Sequence, residues 1–433
     1  MATAPGQRVE IDIHHLTRIE GHGNIVVNVR DGVIEQCDFQ IIEAPRFFEA
    51  MLRGQPYEHA SHIASRICGI CAVAHGTASL RACENALGVV PSEQTTLLRK
   101  LNLYAEMLDS HILHIYMLVA PDLFGVESVI PLAKAEPEIV LRALRMKKVA
   151  GDLSAMIGGR HTHPIAMVVG GFTRYPSSEE LLAFRERLLA LREDLDESVM
   201  LFSGLSIPDF ARETEYLALQ KDREYCILDG EIVSSDGGVW PPEAYKTVTS
   251  EHIVSHSSAK HTRNRRQSYM VGALSRFNIN FHELDPRAKS AATTLGISPI
   301  CTNPYSISVV QLVEAVHFAQ QALNTIERIT QAGIEWEQPG SIARENGEGV
   351  GVCEAPRGTL YHHYVIENGR IVDANYVIPT GQNLANIEGD MRELIPSILD
   401  RTQEEITLAL EMLVRAYDPC ISCSTHMLEV KFV

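Results

Sequence analysis

The arrangement of hydrophobic and polar positions along the chain predicts three long amphipathic helices. The first begins at Ser92, after which apolar residues recur at helical spacing. The second begins at Ser177, which forms a capping-box pattern with Glu180 at a helix N-terminus. The third spans residues 309–332, and Gly333 stands where a glycine commonly ends a helix. We expect these helices to form a central bundle.

Short strands are predicted on either side of this bundle. Residues 25–30 and 33–35 flank an Asp-Gly dipeptide, which is typical of the turn of a β-hairpin. Residues 359–366 and 371–378 flank an Asn-Gly dipeptide and predict a second hairpin. Residues 225–240 return to strand and turn character. The β elements are therefore expected to be small and separated along the chain.

A last helix of roughly 386–417 is predicted to end before Pro419, because proline does not continue a helix. The pattern shows no internal repeat, no low-complexity linker and no clean domain boundary. The predicted fold class is α+β, mainly α, with a central bundle of long helices flanked by small β elements. We expect a single domain over residues 1–433 with four parts: a β-rich part at 1–60, a mainly helical part at 61–335, a β-rich part at 336–385, and a C-terminal helix with a metal-binding tail at 386–433.

Charge and hydropathy exclude several classes of partner. The 433 residues carry 38 basic and 55 acidic side chains, and the densest basic cluster is Arg263, Arg265 and Arg266. Phosphate binding depends on concentrated positive charge, so nucleic acid is not an expected partner. The best apolar run, 112–119, contains His114 and falls short of the roughly 20 residues that span a membrane. The N-terminal residues lack a hydrophobic signal region, so a cytoplasmic protein is expected.

The nine cysteines indicate a metal site rather than a disulfide framework, since an odd number in a long chain is not typical of a disulfide-stapled protein. Four of them form two Cys-x-x-Cys pairs, Cys68 with Cys71 and Cys420 with Cys423. Four thiolates select zinc, iron–sulfur, nickel or copper over hard cations. The other cysteines stand alone and are expected to be small buried apolar side chains: Cys37, Cys83, Cys226, Cys301 and Cys353.

The positions of the two pairs bear on which metal they hold. By ligand count alone a structural zinc site is the commoner outcome, and four thiolates also suffice for one iron–sulfur cluster. A structural zinc site usually pins a short local loop, whereas Cys68 and Cys420 lie 352 residues apart. Titratable residues also flank both pairs: Arg66, His75, Asp418 and His426. Ligand chemistry alone leaves a redox metal centre and zinc both open.

Motifs at both ends of the chain resemble those of the large subunit of nickel–iron hydrogenases. One is Arg66-x-Cys-Gly-x-Cys-x-x-x-His75, and the other is Asp418-Pro-Cys-x-x-Cys-x-x-His426. Three further segments agree in the family's order: residues 15–22, 158–164 and 354–358. The resemblance covers the chain end to end. It implies that the N- and C-terminal parts meet at a buried metal site.

In this family all four cysteine sulfurs bind nickel, and two of them also bridge to an iron that carries one carbon monoxide and two cyanide ligands. The resemblance implies that Cys68 and Cys420 are terminal ligands of nickel. It implies that Cys71 and Cys423 bridge nickel and iron. Thiolates suit this task because they donate electron density to the metal and accept a proton when dihydrogen splits.

The resemblance also implies functional groups around the metals. Glu20 matches a carboxylate that relays protons from a terminal cysteine, and Arg357 matches an arginine over the open metal position, fixed by Asp418. Because the pKa of arginine lies above about 12, we expect Glu20 to relay the proton and Arg357 to give electrostatic support. Thr380 and Arg357 match the donors to the cyanide ligands. His75 matches a histidine that donates to a bridging sulfur.

A magnesium-type site, for magnesium or iron, is implied near the C-terminus. Glu49 and His426 match its carboxylate and imidazole ligands, with a backbone carbonyl near Tyr376 as a third. Family members are usually cut after the final motif histidine once nickel is in place. We therefore expect residues 427–433 to be a removable peptide, with a maturation endopeptidase and nickel-insertion proteins as partners.

The chain departs from the family pattern in two places. Ser110 stands where several members carry an acid before a His-x-x-His stretch, and we assign no role to His111 and His114. Residues 381–383 read Gly-Gln-Asn where many members have tryptophan before asparagine.

The resemblance implies the catalytic subunit of a nickel–iron hydrogenase, which oxidises dihydrogen reversibly to two protons and two electrons. The sequence contains no second set of cluster ligands, so an iron–sulfur small subunit is expected to take the electrons. The length and segment 43–49 resemble the cytoplasmic NAD(P)-linked group, which implies flavin-containing diaphorase subunits. Two alternatives are a metal-free relative that forms the quinone-site scaffold of respiratory complexes and a zinc-stabilised interaction protein. The first predicts missing cysteines, and metal analysis separates all three.

Overall fold

The computed structural model describes residues 8–427. Long helices dominate it, and none of the helices within this range is long and apolar enough to cross a lipid bilayer. The α-helices are α1 Phe48–Leu52, α2 Ala60–Ala64, α3 Ala72–Leu87, α4 Glu93–Leu113, α5 Ala120–Leu123, α6 Val129–Ala135, α7 Pro137–Gly158, α8 Ser178–Ser203, α9 Tyr245–Thr249, α10 Ala273–Asn280, α11 Pro286–Thr294, α12 Ile307–Ala332, α13 Pro379–Leu394, α14 Gln403–Ala416 and α15 Ile421–Ser424.

The centre of the molecule is a helix bundle in which α4 packs against α7 and α12, and α12 packs against α8. The three predicted helices are confirmed as α4, α8 and α12. Ser92 accepts the Thr95 amide as N-cap of α4, and Ser177 and Glu180 form the full capping box of α8. Gly333 ends α12 with a positive φ of 82°. Local capping signals therefore set the ends of the longest helices.

Small sheets flank the bundle, as predicted. The strands are β1 Arg8–Ile13, β2 Gly23–Arg30, β3 Val33–Ile41, β4 Met167–Val168, β5 Gly171–Phe172, β6 Glu215–Gln220, β7 Glu231–Ser234, β8 Val239–Trp240, β9 Tyr269–Met270, β10 Gly347–Ala355, β11 Gly358–Glu367 and β12 Arg370–Val377. Antiparallel sheets β1-β2-β3 and β10-β11-β12 contain the two predicted hairpins. The strand character predicted at 225–240 is confirmed by β7 and β8, whose sheet also contains β6 and, in parallel, β9.

Strand β10 lies directly on helix α3, because three glycines on one face of the strand remove the side chains that would separate them. A Cβ atom on Gly351 would lie 1.9 Å from the Ala78 carbonyl oxygen. A Cβ on Gly349 would lie 2.3 Å from the Ala86 amide nitrogen, and one on Gly347 would lie 2.0 Å from the Ala86 carbonyl oxygen. The strand and the helix are therefore in backbone contact along about two helical turns. Helix α3 begins immediately after Cys71.

The single last helix predicted at 386–417 is wrong. Two helices, α13 and α14, occupy this region and are separated by a 3-10 turn that contains Pro396. Proline lacks the amide hydrogen that a continuing helix requires. A second capping box, between Thr402 and Glu405, then starts α14. Helix α13 also begins earlier than predicted, at Pro379.

Candidate metal centre

The four paired cysteines converge in the core, as their pairing predicted. Cys68 Sγ lies 3.5 Å from Cys420 Sγ, and Cys71 Sγ lies 3.6 Å from Cys423 Sγ. The sulfurs of Cys420 and Cys423 lie 2.9 Å apart. All four residues are buried, and their sulfurs form one group that could hold a metal ion. A four-sulfur donor set suits a soft transition metal.

Each pair sits where a loop meets a helix, and backbone contacts hold the two loops together. Cys71 is the N-cap residue of α3, and Cys420 is the N-cap residue of α15. Asp418 has a positive φ of 53°, which turns the chain from α14 into the second pair. The Arg46 guanidinium donates to the Ile67 carbonyl at 2.6 Å and the Ser422 carbonyl at 3.1 Å, one from each loop. Sequence reasoning did not identify this arginine.

The thiols influence one another electrostatically. Hydrogen bonds from Cys420, Cys423 and Cys71 hold the pKa of the Cys68 thiol well below its usual range, whereas burial raises that of Cys423. A cation bound among the four sulfurs would favour their ionised form. Arg66, one of the titratable residues that flank the first pair, has an exposed side chain.

Arg357 lies beside the sulfurs, in the turn between β10 and β11. Its Nε donates to the Asp418 carbonyl oxygen at 2.6 Å, and its Nη2 donates to Asp418 Oδ1 at 2.7 Å. Its remaining terminal nitrogen, Nη1, lies 3.4 Å from the Ser110 hydroxyl. Asp418 thus fixes the guanidinium.

A small cavity adjoins the cysteines, and its walls are mainly apolar. It is lined by Cys71, His75, Ala355, Arg357, Leu360, Ile378, Pro379, Thr380, Cys420 and Cys423. The Thr380 hydroxyl accepts the Cys420 amide at 3.0 Å, which leaves its own hydrogen free to donate. A mainly apolar pocket with two donors beside sulfur ligands fits small anionic ligands on a metal.

His75 lies on α3, one turn beyond Cys71, and is buried. Its Nδ1 lies 3.1 Å from Nε2 of His362 on β11. His362 Nδ1 in turn lies 3.0 Å from the Tyr364 hydroxyl. Burial lowers the pKa of His75 to about 4, so the ring is neutral at pH 7. His75 lines the cavity, and its donation to a bridging sulfur stays a prediction. The histidine and tyrosine that fix its ring were not found from the sequence.

Glu20 contacts the second cysteine pair directly. The Cys420 thiol donates to Glu20 Oε2 at 3.2 Å, and the Ser422 amide donates to the same oxygen at 3.0 Å. The Ile421 amide donates to the Glu20 carbonyl at 2.9 Å, so the segment around residue 20 pairs with the loop like a parallel strand. The Glu20 side chain is half-buried, so it lies between the Cys420 sulfur and the outer part of the molecule.

Glu49 and His426 also meet, close to the last described residues. His426 Nδ1 lies 2.8 Å from Glu49 Oε1, and His426 Nε2 lies 3.2 Å from Glu251 Oε1. Although burial opposes it, the Glu251 and Glu49 carboxylates raise the pKa of His426 to about 9. Glu251, which the sequence did not reveal, adds a second carboxylate. Met427 donates its amide to Glu49 Oε2 at 3.3 Å, and the rest of the expected removable peptide lies outside the described residues.

A chain of buried polar side chains supports Asp418 from the helix bundle. Gln311 on α12 donates to Asp418 Oδ2 at 3.3 Å and lies 2.5 Å from His114 Nδ1. His114 Nε2 lies 2.7 Å from the Arg415 carbonyl. His114 begins a π-helical turn that continues α4, and such turns often occur near functional sites. The His-x-x-His spacing was the available signal, but Gln311 has none in the sequence.

A second buried network surrounds Glu354, which lies on β10 just before the turn that carries Arg357. Arg276 donates to Glu314 at 2.7 Å through two nitrogens and to Glu354 at 3.0 Å. His111 Nε2 lies 2.8 Å from Glu314 Oε2. All four side chains are buried, and although burial opposes it, the Arg276 guanidinium holds the pKa of the Glu314 carboxyl below its usual range, so these two charges pair within the core. His111 and His114 are therefore hydrogen-bonded core residues, and neither lines the cavity.

Comparison with known proteins assigns the geometry to a family. The model of the nickel-dependent hydrogenase family matches residues 46–140 and 255–426, and a HoxL-like model matches residues 10–44. The chain is 34% identical to sulfhydrogenase 1 subunit alpha of Pyrococcus furiosus, over 97% of this chain and 98% of that one. It is also 34% identical to sulfhydrogenase 2 subunit alpha of the same organism, over 97% and 100%. A crystal structure of an NAD+-reducing NiFe-hydrogenase in the H2-reduced state superposes with a TM-score of 0.85 and 26% identity, covering 98% of this chain and all of that one.

Proposed function

Because this chain belongs to the nickel-dependent hydrogenase family, as the catalytic large subunit of a nickel–iron hydrogenase, we propose that it oxidises dihydrogen reversibly and passes the electrons to an iron–sulfur partner subunit. The observation that supports this proposal is the convergence of four buried sulfurs, supplied by two loops 352 residues apart, beside an apolar cavity. The metal-free quinone-site alternative predicted missing cysteines, and all four are present.

The four sulfurs fit a nickel–iron centre by number, softness and burial. Cys68, Cys71, Cys420 and Cys423 would together hold the nickel–iron centre. When bound, the centre supplies the redox and Lewis-acid chemistry that heterolytic cleavage of dihydrogen requires. Carbon monoxide and cyanide on the iron fit the neighbouring cavity, where Arg357 and Thr380 offer hydrogen-bond donors and the other walls are largely apolar.

The protein's own part in the reaction is to move a proton away from the sulfurs. A proton held on the Cys420 thiol has Glu20 Oε2 as an acceptor at 3.2 Å. The Ser422 amide donates to the same oxygen at 3.0 Å and holds the carboxylate beside the sulfur. Arg357 is held by Asp418 and adds positive charge beside the sulfurs without itself being a base.

We assign a magnesium-type cation to Glu49 and His426, with the backbone near Tyr376 as a further ligand. Two carboxylates, Glu49 and Glu251, lie against the imidazole of His426. Carboxylate oxygens are preferred ligands of magnesium, and iron accepts both oxygen and imidazole. This site lies next to the last residues that the structure describes.

Electrons need a route out of the chain. The four cysteines of the centre are the only all-cysteine ligand group within residues 8–427, a range that contains all nine cysteines. An iron–sulfur small subunit is therefore the proposed electron carrier. The similarity to an NAD+-reducing hydrogenase supports NAD(P) as the final acceptor. Flavin-containing diaphorase subunits and a cytoplasmic location are part of the same proposal. Removal of residues 427–433 by an endopeptidase and nickel insertion by dedicated proteins complete the proposal.

Infrared spectroscopy of the purified, nickel-loaded enzyme tests the assignment. We expect absorption bands from carbon monoxide and cyanide together with hydrogen-dependent reduction of a viologen dye and of NAD+ or NADP+. Cys68→Ser and Cys423→Ser should remove both the bands and the activity. Cys301→Ser, at a half-buried cysteine outside the centre, should leave both intact. An active, loaded protein without those bands would falsify the nickel–iron centre, and dye reduction without NAD(P)+ reduction would refute the acceptor alone.

A further inference from the structure

We propose that His256, His261 and Glu388 form a third metal site, which takes a divalent transition-metal ion of the zinc type. Both histidines lie in the segment between α9 and β9, and Glu388 lies on α13. One ligand atom from each of the three side chains lies within 4.8 Å of the other two. His256 Nε2 is already 2.8 Å from Glu388 Oε1.

The ion pair between His256 and Glu388 leaves the environment of His261 unexplained. Its side chain is 4% exposed, and its Nε2 has no hydrogen-bond partner within the described part of the chain. A buried ring nitrogen without a partner is unfavourable, because it has lost water and gained nothing in exchange. The rings of His256 and His261 stand nearly perpendicular with centroids 5.5 Å apart. A metal ion between them would satisfy the unpartnered nitrogen.

The donors suit zinc better than a hard cation. Two imidazoles with one carboxylate form a common zinc ligand set, which leaves a fourth position for water. Magnesium, in contrast, prefers oxygen and octahedral geometry. Donors of a tetrahedral zinc ion stand about 3.3 Å apart for bonds of about 2.0 Å, so side-chain movements of about 1 Å assemble the site.

The charge and support around the three residues also favour a cation. The Phe39 amide donates to Glu388 Oε1 at 3.0 Å and fixes the carboxylate. Asp38 adds a second negative charge close enough to act on both His261 and Glu388. Burial and the neighbouring histidines lower the pKa of His261 to about 4, so its imidazole is neutral at pH 7.

The three residues are different from those assigned to the two metal positions described above. His252 and His261 pair backbone to backbone as an antiparallel bridge, and the same short loop carries Glu251 and Lys260. The Lys260 ammonium lies 3.1 Å from Glu251 Oε2, and the other oxygen of this carboxylate, Oε1, lies 3.2 Å from His426 Nε2. A metal at His256, His261 and Glu388 would anchor this loop to α13 and so hold Glu251 in place.

Zinc binding by the purified hydrogenase tests the proposal. Enzyme stripped of loosely held metal is titrated with zinc against a chromophoric chelator, and bound zinc is counted by mass spectrometry. We expect the wild-type enzyme to bind one equivalent of zinc. His261→Gln and Glu388→Gln should each lower the affinity for this zinc at least 100-fold. His282→Gln, at an exposed histidine beside Glu283, is the matched control and should bind zinc like the wild type. Nickel content and dye reduction should be unchanged in all variants, which shows that they fold.

X-ray absorption at the zinc edge of the wild-type enzyme identifies the ligands independently of any variant. Nitrogen and oxygen scatterers with an imidazole signature are expected. Sulfur scatterers would place the zinc at the cysteines and overturn the proposal. Equal zinc affinity in the wild type and both variants would overturn it as well, and the ion pair of His256 with Glu388 would then be the whole role of the cluster.

Discussion

Buried arginines in this protein have carboxylate partners at hydrogen-bond distance, both in the helix bundle and beside the cysteine sulfurs. Arg276 is paired with Glu314 and Glu354, and Arg357 is paired with Asp418. Removing one partner of such a pair leaves an uncompensated charge in the core. Arg357 and Asp418 are therefore expected to tolerate substitution poorly even apart from their position beside the sulfurs.

Replacing Glu20 with glutamine tests the proton relay. The amide keeps the shape of the side chain and its carbonyl oxygen, but it does not take up a proton from Cys420. We expect hydrogen–deuterium exchange with solvent, measured by mass spectrometry of the gas, to fall roughly 100-fold or more. Nickel and iron contents should remain those of the wild type. Glu35→Gln, at an exposed strand residue, is the control, and undiminished exchange in Glu20→Gln would remove Glu20 from the relay.

His317 makes the stability of the fold depend on pH. Burial lowers its pKa to about 3, and its Nδ1 accepts the Asp285 amide at 3.1 Å. In the unfolded chain the imidazole has a pKa of about 6.5, so it becomes protonated at pH values at which the folded imidazole stays neutral. Stability should therefore fall as the pH drops from about 6.5 toward 3, by roughly 1.4 kcal/mol per pH unit from this group.

His317→Asn should remove that share of the acid sensitivity, since asparagine offers a similarly placed acceptor and does not titrate. The measurement is the thermal midpoint at a series of pH values between 7.5 and 5, compared with the wild type and with His282→Asn. An unaltered slope in His317→Asn would show that other groups cause the acid sensitivity.

At the scale of elements, the contact between β10 and α3 determines where the first cysteine pair stands. Gly351→Ala would place a Cβ atom 1.9 Å from the Ala78 carbonyl, so the strand and the helix must separate. We expect a loss of about 2 kcal/mol or more in stability and reduced nickel content, because α3 carries Cys71 at its start. Chemical denaturation and metal analysis measure the two effects.

Gly204→Ala provides the comparison, since its Cβ would meet only the Leu201 carbonyl at 3.5 Å and its φ is −88°. This variant should differ from the wild type by a few tenths of a kcal/mol, in either direction. Full stability and full nickel content in Gly351→Ala would show that the two elements separate without cost.

Elements with a local signal were predictable from the sequence, and contacts between distant elements were not. The caps at Ser92 and Ser177 and the hairpin turns are written in adjacent residues. The break between α13 and α14 also had a local signal, in Pro396, but the apolar pattern on both sides outweighed it. Arg46, Gln311 and His362 reach the centre only through tertiary packing, so no spacing identified them.

At the scale of the whole molecule, the metal centre joins two loops that belong to opposite ends of the chain. Protein matured without nickel should therefore exchange backbone amide hydrogens faster at residues 69–75 and 418–427 than the nickel-loaded enzyme. Helix α12 should exchange equally in both forms, because its burial does not depend on the cysteines. Hydrogen exchange with mass spectrometry resolves these segments, and equal protection of both loops with and without nickel would contradict the prediction.

The separation of the two pairs also has a consequence in time. Ribosomes add about 5–20 residues per second, so the 352 residues from Cys68 to Cys420 take on the order of 20 to 70 seconds to synthesise. Throughout that interval Cys68 and Cys71 exist without Cys420 and Cys423. A growing chain therefore offers two thiols to passing metals and oxidants before it can offer four, and the order of metal delivery has to respect the order of translation.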